Sequence, residues 1–194
     1  MSIRKLKNAI TEKLRNELPD KLSYHGLHHT LAVLDVCEQY IRRLKIGPKD
    51  AYLLRTAALI HDVGILWAYS GHEEEAVQFA KELLPKYGYS QKEIEAVKGM
   101  ILATQIPQHP KTILEMILCD ADLDYLGTDS FYEVGETLFR EFLAYGVVKN
   151  EEDWDRLQVK FLTQHHYHTD YAKKYREPVK QKYLAEIKKK WNWA

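Results

Sequence analysis

Apolar positions recur along this chain at three- and four-residue intervals, the spacing that lays one stripe down the side of an α-helix. Ile3, Leu6, Ile10, Leu14 and Leu18 give a first amphipathic helix over residues 2–18, broken at Pro19-Asp20. A second stripe runs through His29, Ala32, Val33, Val36, Tyr40 and Leu44 and ends at Gly47-Pro48, with His25 one turn ahead of it. From about Lys49 to Val63 a third helix carries Leu54, Ala57, Ala58 and His61 on one face, and Gly64 supplies a stop. A fourth starts near His72 with three glutamates in its first turn, where they suit the positive end of the helix dipole. Ser90 and Glu93 form a capping-box pattern that opens a fifth, and a sixth spans about Lys111 to Tyr125, closed by Gly127. Further helices are expected over roughly 130–145 and 151–166, and from near Pro178 into the tail.

No segment alternates with period two over strand length, apart from weak short apolar runs, and no repeat or Gly/Ser-rich linker divides the chain. The pattern predicts an all-α fold, one domain over 1–194 with about eight helices packed around a central group. At 194 residues the chain is long enough to bury a substantial core. Its 28 basic and 28 acidic residues cancel, so no global field draws it to nucleic acid or to an acidic membrane. No run approaches the ~18 apolar residues of a membrane span, and the opening stretch MSIRKLKNAITEKLRNEL lacks the apolar core of a secretion signal. Cys37 and Cys119 fall inside apolar helical patterns, as buried reduced thiols do. The expectation is a soluble cytoplasmic protein with no nucleic-acid or membrane partner; a homodimer is compatible with the sequence.

Chemistry enters with the stretch AALIHDVG, residues 57–64. It ends a dry helix with His61 and Asp62, a pair that is costly to bury unless hydrogen-bonded or holding a metal. The stretch ILCDADLDYLG adds Asp120, Asp122 and Asp124. Taking Leu114, Leu118, Ala121 and Tyr125 as the buried stripe, Asp120 points furthest from it while Asp122 and Asp124 lie on its flanks, and periodicity does not choose between those two. His29, His61, Asp62 and one of these aspartates could thus meet from three helices. Two imidazoles and two carboxylates suit a divalent ion such as Mn, Fe, Co, Ni, Zn or Mg with coordination positions left open. Near the other end, QHHYHTDYAKKYREPVK interleaves aromatic and basic residues with little excess charge and reads mainly as a tyrosine-rich helix-turn-helix surface. Within it Arg176 and Lys180 lie four apart and could offer cationic donors to a phosphate if that hairpin folds over the site.

The order His29, His61-Asp62, Asp122 resembles the H…HD…D signature of the HD-domain metal-dependent phosphohydrolase superfamily. YHGLHHT at 24–30 is similar to the YHxxxH segment of HD-related cyclic-nucleotide phosphodiesterases, and Ala-Asp-Leu at 121–123 to the context of the family's last ligand, which selects Asp122. The resemblance covers roughly residues 20–130, with the remaining helices packed on that core. It implies hydrolysis of a phosphate ester or anhydride of a small phosphorylated molecule, usually a nucleotide, by a metal-activated water. It implies His29, His61, Asp62 and Asp122 as ligands, Asp62 as a catalytic group as well, and His25 as the acid that protonates the leaving oxygen. His72 would contact phosphate or assist catalysis, with Glu73 beside it at the substrate. Two departures narrow the reading: Gly26 stands where the phosphodiesterases usually carry Asn, and Thr104 and His109 do not supply the further histidines of two-metal branches. One divalent ion per chain is therefore expected, without cyclic-nucleotide specificity. The alternative is a non-catalytic HD-type sensor or scaffold that binds metal or nucleotide without cleaving.

Overall fold

The computed structural model describes residues 3–193; Ser2 of the first expected helix and Ala194 of the closing WNWA lie outside the described residues. Among these there are ten α-helices, joined in places by 3-10 turns, and no strand. The backbone divides into two compact units: the chain up to Pro19 together with His25–Asp122, and Asp20–Tyr24 together with the chain from Leu123 onward.

The first unit contains α1 (Ile3–Glu17), α2 (Leu27–Leu44), α3 (Pro48–Ile60), α4 (His72–Leu83), α5 (Gln91–Ala103) and α6 (Ile113–Asp122). In α1 the buried residues are Leu6, Ile10 and Leu14, the three inner members of the expected stripe. α2 stops earlier than its Gly47-Pro48 signal, because Lys45 turns left-handed at φ 51° and its N–H closes on the Ile41 carbonyl. Pro48 then opens α3, where its missing N–H has no partner to lose. Ser90 caps α5 as its pattern predicts: the Glu93 N–H donates to the Ser90 hydroxyl, and the Ser90 N–H donates to the Glu93 carboxylate at 2.9 Å. A cap of this kind contributes about 1 kcal/mol.

α3 lies at the centre of this unit, against α1, α2, α5 and α6. Every residue from Thr56 to Ile60 is buried, so the last turn of the helix is dry on all sides rather than along one stripe. It does not run on to Val63. Asp62 leaves helical geometry at φ −104°, ψ 2°, and Val63–Leu66 tightens into a 3-10 turn that packs on α4. Gly64 is therefore no simple stop: a Cβ there would lie 1.8 Å from the His72 carbonyl oxygen and 2.6 Å from the Ala76 nitrogen. Only a residue without a side chain lets α4 come this close to the end of α3.

The second unit contains α7 (Phe131–Ala144), α8 (Glu151–Gln164), α9 (Asp170–Tyr175) and α10 (Glu177–Lys190). α9 was not expected from the sequence. It is six residues long, too short to display an apolar period, and the Thr169 hydroxyl caps it by accepting from the Ala172 N–H. The core is Leu123, Leu126, Phe131, Leu162, Tyr167, Ala172, Tyr183, Leu184 and Ile187, with Phe131 and Tyr183 stacked at 4.3 Å. Residues 20–24 are tied into this unit, since Ser23 donates to the Thr137 carbonyl and the Tyr24 N–H to buried Glu141, both at 2.8 Å. Among the described residues no helix is long and apolar enough to cross a membrane.

Candidate metal centre

Three helix ends bring polar side chains together inside the first unit. His29 lies in the first turn of α2, His61 and Asp62 follow the last turn of α3, and Asp122 closes α6. One ligand atom from each of the four residues lies within 4.8 Å of every other, so together they could hold a metal ion. His29 Nε2 is 3.0 Å from Asp122 Oδ1 and 3.2 Å from Asp62 Oδ2. His61 Nε2 is 3.3 Å from Asp62 Oδ2 and 3.5 Å from Asp122 Oδ1.

His61 gives the strongest test of fit. Its Nδ1 donates to the Ala58 carbonyl at 2.9 Å, which places the proton of a neutral ring on Nδ1 and a lone pair on Nε2. That Nε2 is wholly buried and forms no hydrogen bond, with carboxylate oxygens of Asp62 and Asp122 at 3.3 and 3.5 Å. A neutral His61 would turn this buried lone pair on two carboxylate oxygens, a repulsive arrangement that a proton on Nε2 or a metal ion relieves. The donor set of two imidazoles and two carboxylates fits a divalent ion.

The electrostatics carry the same message. Burial opposes charging His29, yet hydrogen bonds to Asp122 and Asp62 prevail and raise its pKa to about 9. His61 is raised well above its usual value against the same burial, chiefly by the charge of Asp62. Burial would raise both carboxylates, but His61 and His29 hold Asp62 well below the usual range, and His29 and His61 hold Asp122 at about 2. In the metal-free protein protons on the imidazoles balance the two carboxylates, and a divalent ion would take their place.

Two further imidazoles, His72 and His25, lie beside the four. His72, the first residue of α4, directs Nε2 toward Asp62 Oδ1 at 3.5 Å and donates Nδ1–H to the Tyr69 carbonyl at 3.2 Å. Its pKa is raised to about 9, because the hydrogen bond and charge of Asp62 outweigh burial. Glu73 is buried with Oε1 3.6 Å from His72 Nε2. The His25 ring lies 5.3 Å from that of His72 and 6.3 Å from that of His29. Tyr69, which the sequence reading passed over inside the connection 65–71, packs edge-on against His25 at 6.2 Å. Its only sequence signal was a tyrosine just ahead of His72.

Arg176 and Lys180 have partners within the second unit. Arg176 forms a two-pronged pair with Asp124 at 2.7 and 3.1 Å, which also accounts for that aspartate. Lys180 has no exposed surface; it donates to the His165 carbonyl and lies 3.0 Å from Glu177. Burial, together with the Lys180 charge, pushes His165 down to about 3. The ammonium that the sequence offered to a phosphate thus has intramolecular partners, and the 164–180 stretch contributes His165, Tyr167, Thr169, Ala172 and Lys180 to the interior of its own unit. Asp120, expected to point away from the buried face of α6, is fully buried, because Ile117–Ala121 are buried without a break and α6 has no wet face there.

In this all-α unit three helix ends bring two histidines and two aspartates to one point, a cluster that could hold a metal ion. The HD domain family matches residues 26–124, and the chain belongs to that family. An uncharacterized protein of Clostridium beijerinckii is 31% identical over 85 residues, 42% of this chain; the chain spans only about half of that relative, 54% of its length. Three solved structures share the fold over nearly the whole chain. Bacillus subtilis YpgQ in complex with ADP is 16% identical with a TM-score of 0.64, covering 97% of both chains. A predicted HD superfamily hydrolase from an uncultured Thermotogales bacterium is 21% identical with a TM-score of 0.61, covering 98% of this chain and 97% of that one. A Lactobacillus plantarum protein is 17% identical with a TM-score of 0.67, covering 97% of both.

Proposed function

We propose that this chain is a metal-dependent phosphohydrolase that cleaves a phosphate ester or anhydride of a small phosphorylated molecule, a nucleotide in the first instance. The observation that carries the reading is His61 Nε2, buried, without a hydrogen bond and facing two carboxylates. His29, His61, Asp62 and Asp122 would hold one divalent ion per chain, of the Mn, Mg, Co, Ni, Fe or Zn class. Such an ion supplies a water of lowered pKa and polarises a phosphoryl oxygen.

The chain's own groups do the rest. Asp62 has one oxygen among the ligand atoms and the other toward His72, so it can accept the proton that the attacking water gives up. His25, beside His29 and His72, donates a proton to the leaving oxygen. His72 is held with its Nε2 edge at the site and offers a donor to the phosphoryl group. Glu73 carries the same sign of charge as a phosphate and serves the substrate through His72, whose charged form it favours. YpgQ, of the same fold, is seen with ADP, which supports a nucleotide as the first substrate to try. The free, buried thiols of Cys37 and Cys119 support a reducing, cytoplasmic setting for this enzyme.

The test is release of phosphate or pyrophosphate from nucleoside mono-, di- and triphosphates by protein loaded in turn with each of these metals. Turnover that Asp62→Ala abolishes is expected. No turnover with any metal, or full turnover by Asp62→Ala, overturns the reading; nucleotide binding without cleavage would identify a sensor instead.

A further inference from the structure

His25 belongs to no helix. It precedes Gly26, the residue that opens α2, and Gly26 brings no side chain to fix what comes before it. A proton donor to a leaving group has to be held within a fraction of an ångström and a few tens of degrees of its working position. Rings packed against His25 include those of His29 on α2 and, outside α2, of His72 and Tyr69.

The geometry points to Tyr69, which we propose as the positioning residue for the His25–His72 pair, a role that rests on the phosphohydrolase reading above. Tyr69 reaches the two imidazoles in different ways. Its ring meets that of His25 edge-on, with centroids 6.2 Å apart and planes at 82°. Its main-chain carbonyl accepts the Nδ1–H of His72 at 3.2 Å, which fixes the tautomer of a neutral His72 and turns its Nε2 to Asp62 Oδ1 at 3.5 Å. The two imidazoles then stand 5.3 Å apart at 59°. One residue in the connection between the 3-10 turn and α4 so sets both rings at once, one through its side chain and the other through its backbone.

The connection itself is anchored at both ends. Gly64 lets the His72 carbonyl close on the 3-10 turn, and Gly71, left-handed at φ 74°, starts α4. Tyr69 is half-buried between these anchors, so its placement follows from the backbone. Because the His72 contact is made by a carbonyl, substitution of the side chain leaves it in place. Changing the ring probes its edge contact with His25.

The experiment compares Tyr69→Phe and Tyr69→Ala in the full, metal-loaded chain. Tyr69→Phe keeps the ring and is expected to hold kcat within about 2-fold, whereas Tyr69→Ala lowers kcat roughly 10- to 100-fold with KM within about 3-fold. Metal content stays the same in both. In a His25→Ala background Tyr69→Ala has no further effect, since the group it orients is gone. Independent, additive losses from the two substitutions would overturn the proposal, as would equal losses from Phe and Ala. A second readout does not need turnover. In the metal-free protein the His25 ring-proton resonance shifts on Tyr69→Ala and holds on Tyr69→Phe; an unmoved resonance in Tyr69→Ala overturns the contact. Absence of turnover in the unsubstituted enzyme would sink the parent reading, and the resonance alone would then decide whether Tyr69 orients His25.

Discussion

His61 shows how one hydrogen bond decides the chemistry of a site. With Nδ1 committed to the Ala58 carbonyl, only Nε2 is left to face Asp62 and Asp122. The sequence placed His61 on a dry stripe beside Asp62, which was enough to mark the pair; the direction of each ring nitrogen lies in the local backbone, which no residue pattern records. pH dependence follows from the same residues. His29 and His72 have pKa values raised to about 9 from the usual 6.5, so in the metal-free protein they contribute stability that is present below pH 6.5 and lost as pH rises through about 9. The melting temperature of chelator-treated protein should fall across that window. A divalent ion displaces the proton of its ligand His29, so its affinity should rise over the same range, with proton release visible by calorimetry in buffers of different ionisation enthalpy. A metal-free melting temperature that climbs toward pH 9 would contradict this assignment. Gly64 belongs at this scale too. Gly64→Ala puts a methyl against the backbone of α4 and is expected to destabilise by about 3 kcal/mol or more, read in denaturant melts.

Among the elements, amphipathic helices were the legible ones. α1 buries the Leu6, Ile10 and Leu14 stripe that its spacing announces, and the Ser90–Glu93 box opens α5. Helices buried on all sides were read less well. α3 is dry around its whole last turn, and α6 encloses Asp120, so a stripe argument misassigned the outward face. Asp122 was selected by family resemblance, and its place beside His29 is a fact of tertiary structure. The Arg176–Lys180 spacing suggested a phosphate clamp, yet spacing says nothing about what lies opposite. Lys180 instead ties α10 to the end of α8 through the His165 carbonyl and lies on Glu177. Lys180→Met should accordingly lower stability by about 1–3 kcal/mol, the penalty for leaving buried polar partners unmet, and should leave KM for the substrate unchanged. A raised KM at unchanged melting temperature would restore the clamp.

For the whole molecule, the HD family match stops at residue 124, and the neighbours of known structure follow the fold through the rest of the chain. The all-α class was evident from period alone; the division into two compact units was not, because residues 20–24 join a unit whose other members lie a hundred residues on. Such pairings leave no local signal. The central claim is that one divalent ion, held by His29, His61, Asp62 and Asp122, makes this fold a hydrolase. It is tested most directly by titrating Mn²⁺ into chelator-stripped protein while measuring phosphate release from a nucleotide that the loaded enzyme cleaves. The account predicts a rate that climbs in proportion to added metal and levels off at about one equivalent per chain. A rate that is full before any metal is added, or one that persists unchanged in His61→Ala, would contradict it.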